Sequence, residues 1–283
     1  MSGSDRTTAF IGLGDMGGPL ASRIAAGGLA LAVADVSAAA REAFRGRARI
    51  ADSPADAAQG VRTAHVCVRD DAQVESVVFG PKGLVEGLAR GAVVVVHSTI
   101  HIGTVKSLEA RLAERGLGLL DAPVTNTPRT ADGRFVLTMV GGEAAAIALA
   151  RPVLETFSTQ IVEVGPCGSA MALKIGNNLV SWSHIVLALQ AQRLTAEHGV
   201  PEAVMRRVMT ANGNLTPLMA QVLDFARAAR EQPDAATRAL RSSQSGIGEK
   251  DLDLAIECGE AAGLDMEMAR RARALVRPLY GGE

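Results

Sequence analysis

The first 165 residues alternate short apolar runs with alanine-rich stretches of helical period. The apolar runs are 8–11, 31–34, 64–68, 93–97, 118–121, 136–140 and 161–164. Each has strand length and several are rich in β-branched residues. They are apolar at successive positions rather than at every second one, so both faces of each strand must be covered. Between them, 17–26, 72–79, 104–115 and 144–156 carry apolar residues at helical spacing. Strand-helix alternation of this kind predicts an α/β fold, a doubly wound parallel sheet with helices on both faces.

After Gly165-Pro166 the pattern changes and no strand signal follows. Residues 168–198 read as one helix, interrupted only by single glycines such as Gly176. At 1.5 Å per residue such a helix is roughly 46 Å long, enough to leave one domain and core another. Helical stretches recur at 202–211, 218–229, 244–262 and 266–276, punctuated by Pro201, Pro217, Pro233 and Pro278. The expected organisation is a sheet domain over 1–165 and an all-helical domain over 166–283, joined by the long helix. A chain of 283 residues suits two modest domains.

Composition removes several classes of function. Hydrophobic residues make up 48% and charged residues 21%, an ordinary globular balance. A formal net charge of −1 gives no basic field for nucleic acid or an acidic membrane surface. Aromatics are 3%, too few for a base-stacking platform. Cys67, Cys167 and Cys258 lie far apart and form no metal or disulfide pattern, which points to a reducing compartment. Residues 1–6 lack the apolar core of a secretory leader, and runs such as 92–96 are far short of a membrane span. A cytoplasmic protein with no membrane partner and no metal site is expected.

The strongest chemical signal is Gly12-Leu13-Gly14-Asp15-Met16-Gly17, a GxGxxG between the first strand and the first helix. Gly12 allows the tight turn, Gly14 lets backbone approach a pyrophosphate, and Gly17 permits close helix-strand packing. The helix N-terminus then offers amide hydrogens and partial positive charge to phosphate. Asp35 ends the second strand, 18 residues past Gly17, where a carboxylate reaches ribose hydroxyls and repels a 2′-phosphate. The bound dinucleotide is therefore expected to be NAD (NADH) rather than NADP. A second constellation opens the long helix. Lys174 and Asn178 are four residues apart and share one helix face. Leu173 and Ile175 flank the lysine, surroundings that can desolvate it and bring its proton affinity into a useful range.

These residues resemble the β-hydroxyacid dehydrogenase family, which includes 3-hydroxyisobutyrate dehydrogenases and tartronate semialdehyde reductases. The resemblance runs over nearly the whole chain. It implies hydride transfer between NAD and a small β-hydroxyacid or related short polar alcohol, with a Rossmann-type domain and a helical domain. It implies that Lys174 is the general acid/base and that Asn178 binds substrate. Ser98-Thr99-Ile100 is similar to the family segment beside the nicotinamide, placing Thr99 at the cofactor, and Lys250-Asp251-Leu252 is similar to a motif whose lysine reaches it. Backbone contacts from Val68 and Arg69 are expected although Cys67-Val68-Arg69 departs from the family's Met-Leu-Pro. Asp121-Ala122-Pro123-Val124 is kept, but Thr125-Asn126-Thr127 replaces Ser-Gly-Gly, so the pocket that binds the acidic end of the substrate is altered. Arg129 is near enough in sequence to supply an anion fork. A sulfonate or phosphonate head group fits such a change as well as a carboxylate.

The imine reductases share this layout but usually lack the helix lysine, and catalytically silent relatives tend to lose it. Lys174 argues against both. His97 and His101 flank the Ser-Thr segment and are read as residues able to touch substrate. His184 sits about 80° round the helix from Lys174 and reads as packing or interface. The long helix and the aromatic-poor C-terminal half are slender for a private core, so a homodimer is expected.

Overall fold

The computed structural model describes residues 7–231 and 234–281. Residues 1–6 and Pro233 lie outside the described residues. The chain divides into two compact units, Met1–Lys174 and Ile175–Glu283. The division falls nine residues later than the Gly165 boundary read from the sequence, because the opening of the long helix packs with the first unit.

In the first unit the order is β1 (Thr7–Ile11), α1 (Gly17–Ala26), β2 (Ala30–Ala34), α2 (Ala38–Glu42), β3 (Arg49–Ile50), α3 (Pro54–Ala57), β4 (Thr63–Val66), α4 (Asp71–Phe79) and α5 (Leu84–Gly87). There follow β5 (Val93–Val96), α6 (Ile102–Ala113), β6 (Gly118–Asp121), β7 (Val124–Asn126), β8 (Val136–Gly141), α7 (Ala144–Leu154) and β9 (Ser158–Gly165). The strands form one sheet in the order β3-β2-β1-β4-β5-β6-β8-β7, with β9 pairing β8. From β3 to β6 every pairing is parallel. The sheet is predominantly parallel, as expected, and differs only at its far end. There β8 runs antiparallel to β6 and β7, because β7 and β8 are joined by a hairpin rather than a helical crossover. The expected strands over 64–68 and 93–97 end at Val66 and Val96, so Cys67, Val68 and His97 lie in the turns that follow.

Strands β4 and β5 are buried along their whole length, β5 as an unbroken run of valine and β4 with Thr63 and His65 among its buried residues. Phe10, Leu20, Ile24, Leu120, Leu154 and Phe157 fill the core around the sheet. Two histidines share it. His97 is buried, its Nδ1 2.7 Å from the Ala122 carbonyl and its Nε2 2.9 Å from His65 Nδ1. The carbonyl can only accept, so His97 Nδ1 carries hydrogen and His65 Nδ1 donates to His97 Nε2. That leaves His65 Nε2 as a buried lone pair with no hydrogen-bond partner among the described residues. Burial holds His97 down to about 4 and His65 well below its ordinary range, which keeps both neutral. The two rings stack with each other and with Phe10. His97 is thus a core residue, not a substrate contact. His101 caps α6 by accepting the Gly103 amide at Nδ1 (3.0 Å), so it too has a structural task.

The second unit is helical. It holds most of α8 (Ser169–Glu197), then α9 (Glu202–Ala211), α10 (Pro217–Glu231), α11 (Ala235–Ala261) and α12 (Glu267–Val276), ending in a π-helical turn, Arg277–Gly281. Helix α8 supplies Trp182, Ile185, Val186, Ala188 and Leu189 to its core. Helix α11 starts nine residues before the apolar pattern does, because Asp234 caps it by accepting the Thr237 amide at 2.7 Å. Among the described residues no helix is long and apolar enough to cross a membrane.

Candidate active site

The parallel strands end on one edge of the sheet, and the turns there carry the residues the sequence singled out. Gly12 follows β1 with φ of +93°, and its amide donates to the Ala34 carbonyl at 3.0 Å. A Cβ on it would lie 2.2 Å from the Cys67 carbonyl oxygen. A Cβ on Gly17 would lie 2.0 Å from the Gly12 carbonyl oxygen, so α1 closes onto the turn only with glycine there. Around Gly14 nothing comes within 4 Å of a Cβ position. Backbone is therefore bare where a pyrophosphate must approach. Helix α1 begins at Gly17 with no side-chain cap from Met16 and no acidic residue in its first turn, so its positive end is open to an anion. Leu13 is buried under the turn, while Asp15 is exposed and Met16 half-buried. These residues fit NAD.

Asp35 stands at the end of β2. Its Oδ2 accepts the Leu13 amide at 2.6 Å and its Oδ1 the Ser37 amide at 2.7 Å. The carboxylate is thereby locked to the glycine turn, and each oxygen keeps a lone pair for a ribose hydroxyl. Val36 beside it is fully exposed and apolar. The Arg41 guanidinium donates to the Asp35 main-chain carbonyl rather than to its carboxylate. After β4, the Val68 amide donates to Ser98 Oγ at 2.8 Å and the Arg69 amide to Gln73 Oε1 at 3.1 Å. Only their carbonyls remain for the backbone contacts expected of them. Thr99 is half-buried in the turn that follows β5. Burial pushes the Cys67 thiol up to about 12, which removes it as a thiolate.

The altered loop becomes strand β7, with Thr125 opposite Leu137 and Asn126 opposite Val136. Met139 donates to the Pro123 carbonyl and Thr127 to the Phe135 carbonyl. Antiparallel alternation then turns the Asn126 amide toward the outer edge of the strand. Asn126 is exposed and Thr125 half-buried. Thr127 spends its hydroxyl on Thr159 at 3.0 Å, so its polar groups serve the sheet. Arg129 lies over the Phe135 ring at 4.9 Å and donates to Gly133, within its own loop.

Lys174 lies on α8 and is 9% exposed. One turn later Asn178 is also buried, and its amide nitrogen donates to Asp251 Oδ2 at 2.8 Å. The Trp182 indole donates to the same oxygen at 3.3 Å. The carboxylate can only accept, so it fixes which way the Asn178 amide faces and leaves its Oδ1 free of that contact. The Lys250 ammonium stands 3.1 Å from Asp251 Oδ1. Gly248 packs against Trp182, whose ring would lie 2.7 Å from an added Cβ. Sequence reasoning gave Lys250 a cofactor contact and passed over Asp251, although the Lys-Asp pair was the available signal. Asp121 was likewise passed over as part of a motif. It is buried at the end of β6, and both its oxygens accept amides from the start of α8. Burial pushes its carboxyl up, and those amides pull against that shift.

The glycine turn with Asp35 has the features of a dinucleotide-binding turn, and comparison with known proteins shows the class to be an NAD-dependent oxidoreductase. Residues 7–165 match the model of the NAD binding domain of 6-phosphogluconate dehydrogenase. The NAD-dependent L-serine dehydrogenase of Pseudomonas aeruginosa is 31% identical over 278 residues, 96% of this chain and 91% of that protein. The 3-sulfolactaldehyde reductase of Escherichia coli is 33% identical over 203 residues, 71% of this chain and 68% of that protein. The crystal structure of 3-hydroxyisobutyrate dehydrogenase from Salmonella typhimurium superposes with a TM-score of 0.81 at 25% identity, covering 96% of this chain and 93% of that one. The chain belongs to the β-hydroxyacid dehydrogenase family, the NAD-dependent oxidoreductases of small hydroxyacids.

Proposed function

We propose that the chain interconverts a small anionic β-hydroxyacid, carboxylated or sulfonated, with its aldehyde or ketone, and that Lys174 is its general acid/base. The observation that carries this reading is Lys174 itself, a buried lysine on α8 one turn ahead of an asparagine whose amide is fixed by a carboxylate. When bound, NAD supplies the hydride acceptor for oxidation, and NADH the donor for reduction. Lys174 takes the substrate hydroxyl proton in oxidation and returns a proton to the carbonyl oxygen in reduction. Asn178 holds the substrate. Gly12 to Gly17 bind the pyrophosphate, Asp35 the ribose, and Val68, Arg69, Thr99 and Lys250 the remainder of the cofactor. Thr125 and Asn126 receive the acidic end of the substrate, with Thr127 behind them holding the strand. The 1–165 region is the dinucleotide-binding domain and 166–283 the substrate and dimerisation domain. A homodimer acting in the cytoplasm completes the reading.

Initial rates of NADH formation test it, with NAD and NADP offered against L-serine, 3-hydroxyisobutyrate, glycerate and a sulfonated three-carbon alcohol. NAD-linked turnover of at least one is expected, with NADP about 100-fold poorer because Asp35 repels a 2′-phosphate. Preference for NADP contradicts the role of Asp35. Silence with every substrate, in protein that binds NADH, overturns the proposed reaction.

A further inference from the structure

Asp121 is joined to α8 across 47 and 50 residues of sequence. Its Oδ1 accepts the Gly168 amide at 2.8 Å and its Oδ2 the Met171 amide at 2.6 Å. Amides at the start of a helix have no intrahelical acceptor, so these two rely on the carboxylate. The fold reserves space for it. Gly141 faces Asp121 in the β6–β8 register, and a Cβ there would stand 2.4 Å from Asp121 Oδ1. Gly168 adopts φ of +92° as the chain turns into the helix. Lys174 follows Met171 by three residues, less than one turn.

We propose that Asp121 is a positioning residue for Lys174: it pins the first turn of α8 to the end of β6 and sets a negative charge against the positive end of that helix. This fixes where the lysine stands and keeps its ammonium from being destabilised by the helix dipole. The inference rests on the reading of Lys174 as acid/base. The ionisable groups around the carboxylate are few. The Cys167 thiol lies beside it, held protonated by burial and by the Asp121 charge, with Lys106 and Glu109 of α6 facing that thiol. His97 of the adjacent turn is tied to the Ala122 carbonyl and stays neutral.

The chain has four lysines, Lys82, Lys106, Lys174 and Lys250. In protein labelled with ¹³C-lysine, the Cε signals are therefore four and can be assigned by single Lys→Arg substitutions. Titration should show the Lys174 midpoint about one pH unit lower in Asp121→Asn than in the unsubstituted protein, because removing a negative charge disfavours the ammonium. The Lys82 signal should not move. An unchanged Lys174 midpoint in folded Asp121→Asn overturns the proposal. Should that variant not fold, hydrogen exchange in the unsubstituted protein decides. The Gly168 and Met171 amides should be protected about 100-fold or more, and exchange at the unprotected rate overturns the anchor. If Lys174→Ala leaves turnover intact, the acid–base reading falls alone, since the titration and the exchange measure the hold of Asp121 on the helix without substrate.

Discussion

Lys174→Ala is expected to lower kcat by about 10²- to 10⁴-fold, the usual contribution of a positioned proton-transfer group. The expectation follows from the lysine's place. It is buried on α8 a turn before Asn178. Alanine is a good helix former, so the substitution leaves α8 intact. The groups proposed to receive the dinucleotide are those of the glycine turn, Asp35, the turns after β4 and β5, and Lys250, and none of them changes. NADH should therefore bind Lys174→Ala within about threefold of the unsubstituted protein, by quenching or transfer of its fluorescence, while steady-state turnover collapses. Loss of NADH binding in parallel with turnover would show instead that the lysine supports the cofactor pocket. Retention of turnover would remove it from the chemistry.

A comparable effect is expected on assembly. Helix α8 exposes Val180, Leu187 and Leu194, each between 53% and 64% accessible save Leu187 at 52%. They recur every seven residues and form one seam along the helix. Helix α11 repeats the spacing with Leu240 and Ile247, both exposed. Apolar side chains in a continuous row are costly to leave in water, and in the proposed homodimer a second copy of the same seam would cover them with two-fold symmetry. Light scattering should give about twice the 29.3 kDa chain mass. Leu187→Lys should weaken the dimer by about 100-fold, since symmetry places the new charge in the seam twice. A monomeric mass for the unsubstituted protein would contradict the dimer.

Much of this architecture could be read along the chain because its physical causes are local. Strands buried on both faces in a parallel sheet favour unbroken apolar runs, and the four valines of β5 announce themselves so. The glycine turn is equally plain, because steric exclusion at Gly12 and Gly17 admits no other residue. Strands β3 and β7 escaped, being two and three residues long, too short for a period to register. The antiparallel end of the sheet depends on the β7–β8 hairpin, which the Thr125-Asn126-Thr127 segment does not signal with turn glycines of its own. His97 looked chemical because it stands next to Ser98-Thr99. Its partners, His65 and the Ala122 carbonyl, are 32 and 25 residues away and only folding supplies them. Asp121 and Asp251 were missed for the same reason. Each acts by accepting hydrogen from residues 47 to 73 positions distant. A carboxylate that orients another group has no local signature, whereas a lysine flanked by apolar residues has one.

The central claim is that this chain moves a hydride between NADH and a small carbonyl acid. Its most direct test is one turnover with NADH deuterated at C4, each face labelled in turn, and an aldehyde from the productive substrate pair. Deuterium from one face should appear wholly on the carbinol carbon of the product alcohol, with none lost to water. Unlabelled product from both labelled faces, or label exchanged into solvent, would contradict the account.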